Sequence, residues 1–443
     1  MARVVVVGGG IAGLLAARVR AGAGDEVTLV EREAVPGGLL RSVANDSGDW
    51  FDFGTHFVHE TGVAALDAVL FEEVRADAWR RFDWLEAGAF FAGRLGAHAF
   101  ADLRHLAPDE HARAVVELLV GEPPVDLPAT LEDQLLPAYG PTITDRLFRP
   151  ALKKLFGVEL GELVPDAHKL FGLARLIALT PYATAELKRS PHYAEKLNLH
   201  TAGESPSPHK ARYPLVGGVG QWVEGMTAGI VRRGATLACG RGVRRLERVG
   251  RRVVAVELDD GMRLPCDELI WTAPLALALR AGGVTLASGP PTLRTVSLHH
   301  FTFDRPPPTG LHYFTCYDER YATFRVTLYS NVQPVRAAAG RHSLTVEVLS
   351  SGPPADLAAL RAQLAVELVE LGAVAAGACS LYETSELVRE GFPVLTPALV
   401  ASGVAQRDAF GAEFDNAVAL GKGSGAAFFM SDVLVAAWTR LAG

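Results

Sequence analysis

Cysteine is scarce in this sequence. Its 443 residues include four, Cys239, Cys266, Cys316 and Cys379. They lie far apart with no C-x-x-C pairing, which excludes a disulfide scaffold or cysteine zinc site and fits a reducing compartment. Long apolar runs are also missing: none reaches the ~18 residues of a membrane helix, so no membrane span is expected. Positive charge is not in excess. Lys and Arg number 43 against 50 Asp and Glu, a net charge of −7, which argues against a nucleic-acid or anionic-membrane partner. The first residues run directly into a β-branched stretch, leaving no room for a signal peptide's charged and apolar regions, so a cytoplasmic location is expected. Internal repeats, coiled coils and low-complexity tails are absent from the pattern, and nothing in it specifies an oligomeric state. What is plentiful is core material: 49% hydrophobic residues and a mean hydropathy of +0.18. At about 150 residues per domain, the length suggests two or three domains.

The opening "RVVVVGGGIAGLLAARV" reads as a strand, a tight turn and a helix. The run Val4 to Val7 lacks alternation, as expected of a parallel strand covered on both faces. Gly8, Gly10 and Gly13, with Ile11 and Ala12 between the last two, form G-x-G-x-x-G. Gly8 permits the turn, Gly10 lets the backbone approach a pyrophosphate, and Gly13 lets the helix pack on the strand with its amides facing the phosphates. "EVTLVE" is a second strand, and Glu31 lies 18 residues after Gly13, close to the ~20 of the dinucleotide fingerprint. A carboxylate there accepts hydrogen bonds from the adenosine ribose and repels a 2′-phosphate. NAD and FAD share this fingerprint.

The next segments separate the two cofactors. "EREAVPGGLLRSV" supplies Arg32, the turn Gly37-Gly38, then Leu39, Leu40 and Arg41. "FDFGTHFVHE" carries Gly54, Thr55 and His56 in an Asp-x-Gly-x-His pattern, and "ARYPLVGGVGQWVEGM" carries Tyr213, Pro214, Gly217 and Gly218 before a helix expected from about Gly220. The stretch from Gly242 to Pro274 reads as three strands, two of them joined by a hairpin at "DDG". In this order, the pieces resemble the flavin-dependent amine oxidase superfamily: amine oxidases, protoporphyrinogen oxidases, phytoene-type desaturases and UDP-galactopyranose mutases. The resemblance implies FAD. It also implies non-covalent attachment, since no cysteine falls on a flavin-contacting motif. It lays Gly54, Thr55 and His56 against the flavin, brings the Val243 backbone to the adenine and ends a strand beneath the cofactor at Thr272. The terminal "VALGKGSGAAFFMSDVLVAA" resembles the loop and last helix of the mutase-like branch, with Gly421 and Lys422 on a Gly-Arg pair and Met430 and Ser431 around the triplet that opens the helix. Lys422 in place of arginine keeps the charge without the bidentate fork. The loop is neither a P-loop nor a nucleophile elbow, because the glycine spacing fails for both.

The implied fold class is α/β: a discontinuous Rossmann-type FAD-binding domain with an inserted α+β substrate domain. The cofactor domain takes residues 1–70, 205–290 and 405–443. The substrate domain takes 70–205, read as helical and broken at "GEPPVDLP" and "SPSP", and 290–405, read as strand-rich with a helix from about Pro354 to Leu371. His56 is the leading catalytic candidate, against the plainer reading that it fixes its loop through a backbone hydrogen bond. Arg325, in "YATFRVTLYSN", resembles the mutases' diphosphate-binding arginine, against the plainer reading of a surface or structural arginine, and no second arginine stands out among Arg146, Arg149 and Arg175. Tyr213, Tyr313 and Tyr317 are either pocket-lining or packing residues. His59 beside His56 makes no metal signature, and His299-His300 cannot share one face of a strand. Two function classes remain, both acting on a small molecule. One is an FAD-dependent oxidoreductase abstracting hydride, in specialised biosynthesis; the other is a non-redox isomerase acting on a nucleotide sugar through reduced flavin.

Overall fold

A computed structural model describes residues 1–122, 124, 126–198, 210–286, 292–338, 340–425 and 429–442. The "SPSP" segment, the expected boundaries at 205 and 290, part of "GEPPVDLP", and Ala426 and Ala427 of the terminal loop lie outside those residues. Strand β1 (Arg3–Val7), helix α1 (Ile11–Gly22) and strand β2 (Glu26–Glu31) open the chain. A five-stranded parallel sheet orders Thr236–Cys239, β2, β1, Glu268–Trp271 and Ala417–Ala419. Val4 and Val6 pack toward α1, helix Gly220–Arg232 and the terminal helix Met430–Ala442. Val5 and Val7 pack toward the antiparallel strands Val243–Val249 and Arg252–Leu258 and helix Leu275–Ala281. Alternate side chains thus serve two apolar layers, which is why the strand shows no polar alternation.

A second sheet of seven strands orders Ser380–Pro393, Leu293–Phe303, His342–Ser350, Arg325–Leu328, Tyr313–Cys316, Ala87–Phe91 and Arg94–Gly96. One face packs on the helical region between residues 103 and 178, the other on helix Leu357–Glu370. Asp356 caps that helix by accepting from the Ala358 and Ala359 N–H groups at 2.8 and 2.9 Å, a strong start signal.

Three sequence expectations change. The segment 70–205 is not helical throughout: Ala87–Phe91 and Arg94–Gly96 join the large sheet through a hairpin whose turn residues, Ala92 and Gly93, have φ of +50° and +76°. An alanine at positive φ hides this turn from a search for Asn-Gly. Trp79–Phe82, from the same segment, pairs with Ala211–Pro214. The stretch after Gly242 holds four strands, because Cys266-Asp267 ends the antiparallel hairpin set and Glu268–Trp271 enters the parallel sheet. The boundary at 405 falls inside helix Pro397–Glu413, which starts where the Thr396 hydroxyl accepts from the Leu399 N–H at 3.2 Å. Among the described residues, no helix is long and apolar enough to cross a membrane.

Candidate functional site

The three motif glycines meet different surroundings. A Cβ on Gly8, whose φ is +103°, would sit 2.4 Å from Thr272 Oγ1, and one on Gly13 would sit 1.9 Å from the Gly8 carbonyl oxygen. A Cβ on Gly10 would meet nothing within 4 Å. Gly8 and Gly13 are therefore required by the protein's own packing. Gly10 instead leaves bare backbone facing open space at the amino end of α1, where Ile11 and Ala12 begin the helix. That open cradle and the N-terminal amides fit a pyrophosphate. Thr272 Oγ1 lies 3.0 and 3.1 Å from the Val7 and Gly8 carbonyls, pinning the loop to the end of the neighbouring strand.

Glu31 closes β2 with both oxygens engaged by the loop: Oε2 accepts from the Gly9 N–H at 2.6 Å and Oε1 from the Glu33 N–H at 2.8 Å. Each oxygen retains a lone pair for a ribose hydroxyl. Arg32 is largely exposed beside Glu33. The Gly240 and Arg241 N–H groups donate to the Glu33 and Glu31 carbonyls, at 2.8 and 3.1 Å, and this carries Val243 alongside. The Gly37 N–H donates to the Gly9 carbonyl at 2.8 Å, with Gly37 and Gly38 at φ +129° and +57°. Leu39 points outward, Leu40 is buried, and Arg41 donates to the Gly38 carbonyl at 2.9 Å while lying over the Phe53 ring. The terminal loop closes on the same place, since a Cβ on Gly421 would stand 3.5 Å from the Ala12 Cβ and 3.7 Å from the Thr272 carbonyl oxygen. Lys422 follows on a short 3-10 turn, and Met430 and Ser431 open the last helix, which packs on α1.

The Asp-x-Gly-x-His segment is anchored at both ends. Asp52 is fully buried and accepts from Ser42 Oγ and the Tyr213 hydroxyl, each at 2.6 Å, and from the Val219 N–H at 2.9 Å. Tyr213 is thereby committed to Asp52 and packing, and it does not line a pocket. Tyr317 is likewise buried with its hydroxyl on the Phe171 carbonyl at 2.8 Å; Tyr313 stays partly accessible. His56 Nε2 lies 3.2 Å from the Phe53 carbonyl. A carbonyl can only accept, so Nε2 carries the proton and Nδ1 a lone pair. Burial pushes the His56 pKa down to about 4, with Arg325 and Lys422 adding to the effect and Glu347 opposing it. His56 is neutral at pH 7 and too weakly basic to serve well as a general base there.

Arg325 makes a bidentate pair with Glu347, Nε to Oε1 at 2.7 Å and Nη2 to Oε2 at 2.8 Å. Glu347 was not singled out by sequence reasoning. The available signal was one carboxylate within the apolar strand "LTVEVL", directly opposite Arg325 in the sheet register. Glu347 Oε1 also accepts from the Thr55 N–H at 2.9 Å and the Thr55 hydroxyl at 3.0 Å. Burial raises the Glu347 carboxyl, but the Arg325 guanidinium outweighs it and holds the pKa below the usual range. Surrounding protein depresses the Lys422 ammonium, although the residue keeps an accessible side. Glu347 bonds both Thr55 and Arg325, and His56 feels Glu347, Arg325 and Lys422, so these five residues gather around one partly accessible cleft. Arg146 and Arg149 stand apart, ion-paired to Glu110 and to Glu132 and Asp145 on the helical layer. His299 and His300 face opposite sides of their strand, the first on Ser297 and Ser385, the second on Thr345 and stacked on Phe51.

The family model for flavin-containing amine oxidoreductases matches residues 11–368. The chain belongs to this family. Among curated proteins it is similar to a phytoene dehydrogenase of Streptomyces griseus, 30% identical over 313 residues, which is 64% of this chain and 56% of that protein. It also resembles an L-amino-acid oxidase of Gloydius halys, 50% identical over 48 residues, 11% of this chain and 10% of that one. The first of these matches thus spans little more than half of its relative's length, and the second a tenth. Among solved structures, a reduced UDP-galactopyranose mutase superposes with a TM-score of 0.80 at 17% identity, covering 100% of this chain and 96% of its own. A protein assigned as a protoporphyrinogen oxidase from Exiguobacterium sp. 255-15 gives 0.72 at 16% identity, covering 100% and 98%. At such identities these two establish a shared fold.

Proposed function

We propose that this family member is a cytoplasmic, FAD-dependent oxidoreductase that removes hydride from a small-molecule substrate and holds FAD non-covalently. The supporting observation is the contrast among the glycines: Gly8 and Gly13 are packed against protein atoms, while Gly10 faces space. In this reading the Gly8–Gly13 turn and the first turn of α1 hold the pyrophosphate and Glu31 the adenosine ribose, with Arg32 and the Val243 backbone beside it. Gly37, Gly38, Leu39, Leu40, Arg41, Gly54 and Thr55 line the middle of the site. Thr272 and Gly421 close the site beside the Gly8–Gly13 turn, and Lys422, Met430 and Ser431 follow on the terminal loop and helix. FAD, when bound, supplies the hydride acceptor. His56 orients its segment through the Phe53 carbonyl and stays neutral. Lys422 and the amino end of the last helix give the loop a positive potential, which favours added electrons nearby. The alternative, a UDP-galactopyranose mutase-like isomerase, would need the Arg325 fork for a diphosphate, and Glu347 already engages that fork.

The purified protein should release one FAD per chain on denaturation, and with its substrate it should reduce a redox dye in proportion to substrate consumed. A supernatant containing NAD and no flavin would overturn the cofactor reading. Substrate conversion without dye reduction would overturn the redox one.

A further inference from the structure

Glu347 touches three parts of the chain at once. It lies in strand His342–Ser350, faces Arg325 in the adjoining strand, and reaches across to Thr55 on the segment expected against the flavin. Gly54 makes that reach possible: a Cβ there would stand 3.3 Å from Glu347 Oε2, at a φ of +112°. The two charges are not equally hidden, for the Arg325 side chain is 28% accessible and that of Glu347 7%. The cation therefore borders the cleft while its counter-ion sits behind it.

We propose that Glu347 sets the charge specificity of the cleft by occupying Arg325, so that the accepted substrate carries no phosphate on the portion beside that guanidinium. Phosphate recognition by arginine draws on a free planar fork and an uncompensated positive charge. Here Nε and Nη2 are taken, and an incoming dianion would meet a cation already cancelled by the carboxylate behind it. Tyr313 and Tyr317, whose phenols burial keeps protonated, add no charge on the Arg325 side. The inference rests on the cleft being the substrate site, but its test needs no turnover.

The probe is inorganic pyrophosphate added to the FAD-loaded protein, followed by calorimetry and by flavin difference spectra. Wild type should show no binding that depends on Arg325. Glu347→Gln should bind pyrophosphate about tenfold or more tightly than wild type, the worth of one freed charge-assisted contact. Arg325→Met with Glu347→Gln should abolish that gain. Glu347→Asp keeps a carboxylate too short to hold both Arg325 and Thr55, and should show a smaller gain in the same direction. The proposal is overturned if wild type already binds pyrophosphate through Arg325, or if a folded, flavin-loaded Glu347 variant gains nothing. Because redox turnover is not measured, failure of the oxidoreductase reading would register separately.

Discussion

Removing Arg325 should expose how strongly its charge is coupled to Glu347. In Arg325→Met, the carboxylate keeps the Thr55 N–H and hydroxyl but loses both guanidinium contacts. Breaking a buried pair by deleting one partner costs about 3–5 kcal/mol. The accessibility of Arg325 and the two surviving Thr55 bonds put the expected loss below that range, at about 2–3 kcal/mol at pH 7. The pH dependence has a definite sign. Glu347 has a depressed folded-state pKa in the wild type, so its contribution is present above the unfolded value, about 4.3, and is lost as pH falls through the folded one. Without Arg325, burial dominates and the carboxyl pKa moves up. The penalty should therefore be largest at pH 7–8 and shrink toward pH 5 as Glu347 protonates. Urea unfolding of wild type, both single variants and the double variant Arg325→Met/Glu347→Gln gives the coupling directly. The double variant should recover much of the loss. A penalty independent of pH, or a double variant showing the plain sum of the two singles, would refute the reasoning.

Three further outcomes follow from the glycines, Glu31 and His56. Gly10→Ala should leave the flavin-free protein as stable as wild type yet retain FAD poorly, whereas Gly13→Ala should destabilise the flavin-free protein itself; melting curves with and without FAD separate the two. Glu31→Ala should weaken FAD about tenfold to a hundredfold in a flavin titration, the worth of about 1.5–3 kcal/mol of charge-assisted hydrogen bonding, and unchanged affinity would remove Glu31 from the ribose. His56, neutral when folded but with an unfolded value near 6.5, costs stability as pH falls from about 6.5 toward 4; His56→Asn should flatten that part of the stability profile while leaving kcat without a His56-dependent limb between pH 5 and 8.

The strand–turn–helix end of the fold was legible because its contacts are local. Gly8 to Gly13, Glu31 and Gly37-Gly38 act within short stretches, and the β-branched run of β1 declares its own two-sided burial. The seven-stranded sheet was less legible because its key relation is not local. Arg325 and Glu347 are 22 residues apart and meet only through strand pairing, so the sequence left Arg325 between a diphosphate-binding and a structural arginine. Tyr213 was ambiguous for the same reason, its partner Asp52 being 161 residues away. The strand at Ala87–Phe91 escaped because alanine and glycine carry little β signal and its turn uses an alanine at positive φ.

The central claim is that electrons pass from substrate to the flavin this site holds. The most direct measurement is anaerobic mixing of the oxidised holoprotein with a panel of amines, polyenes and nucleotide sugars, reading the oxidised-flavin absorbance in each. The account predicts that at least one non-phosphorylated substrate abolishes that absorbance stoichiometrically and recovers as an oxidised product. Conversion of a nucleotide sugar only by pre-reduced protein, with no change in flavin oxidation state, would contradict it.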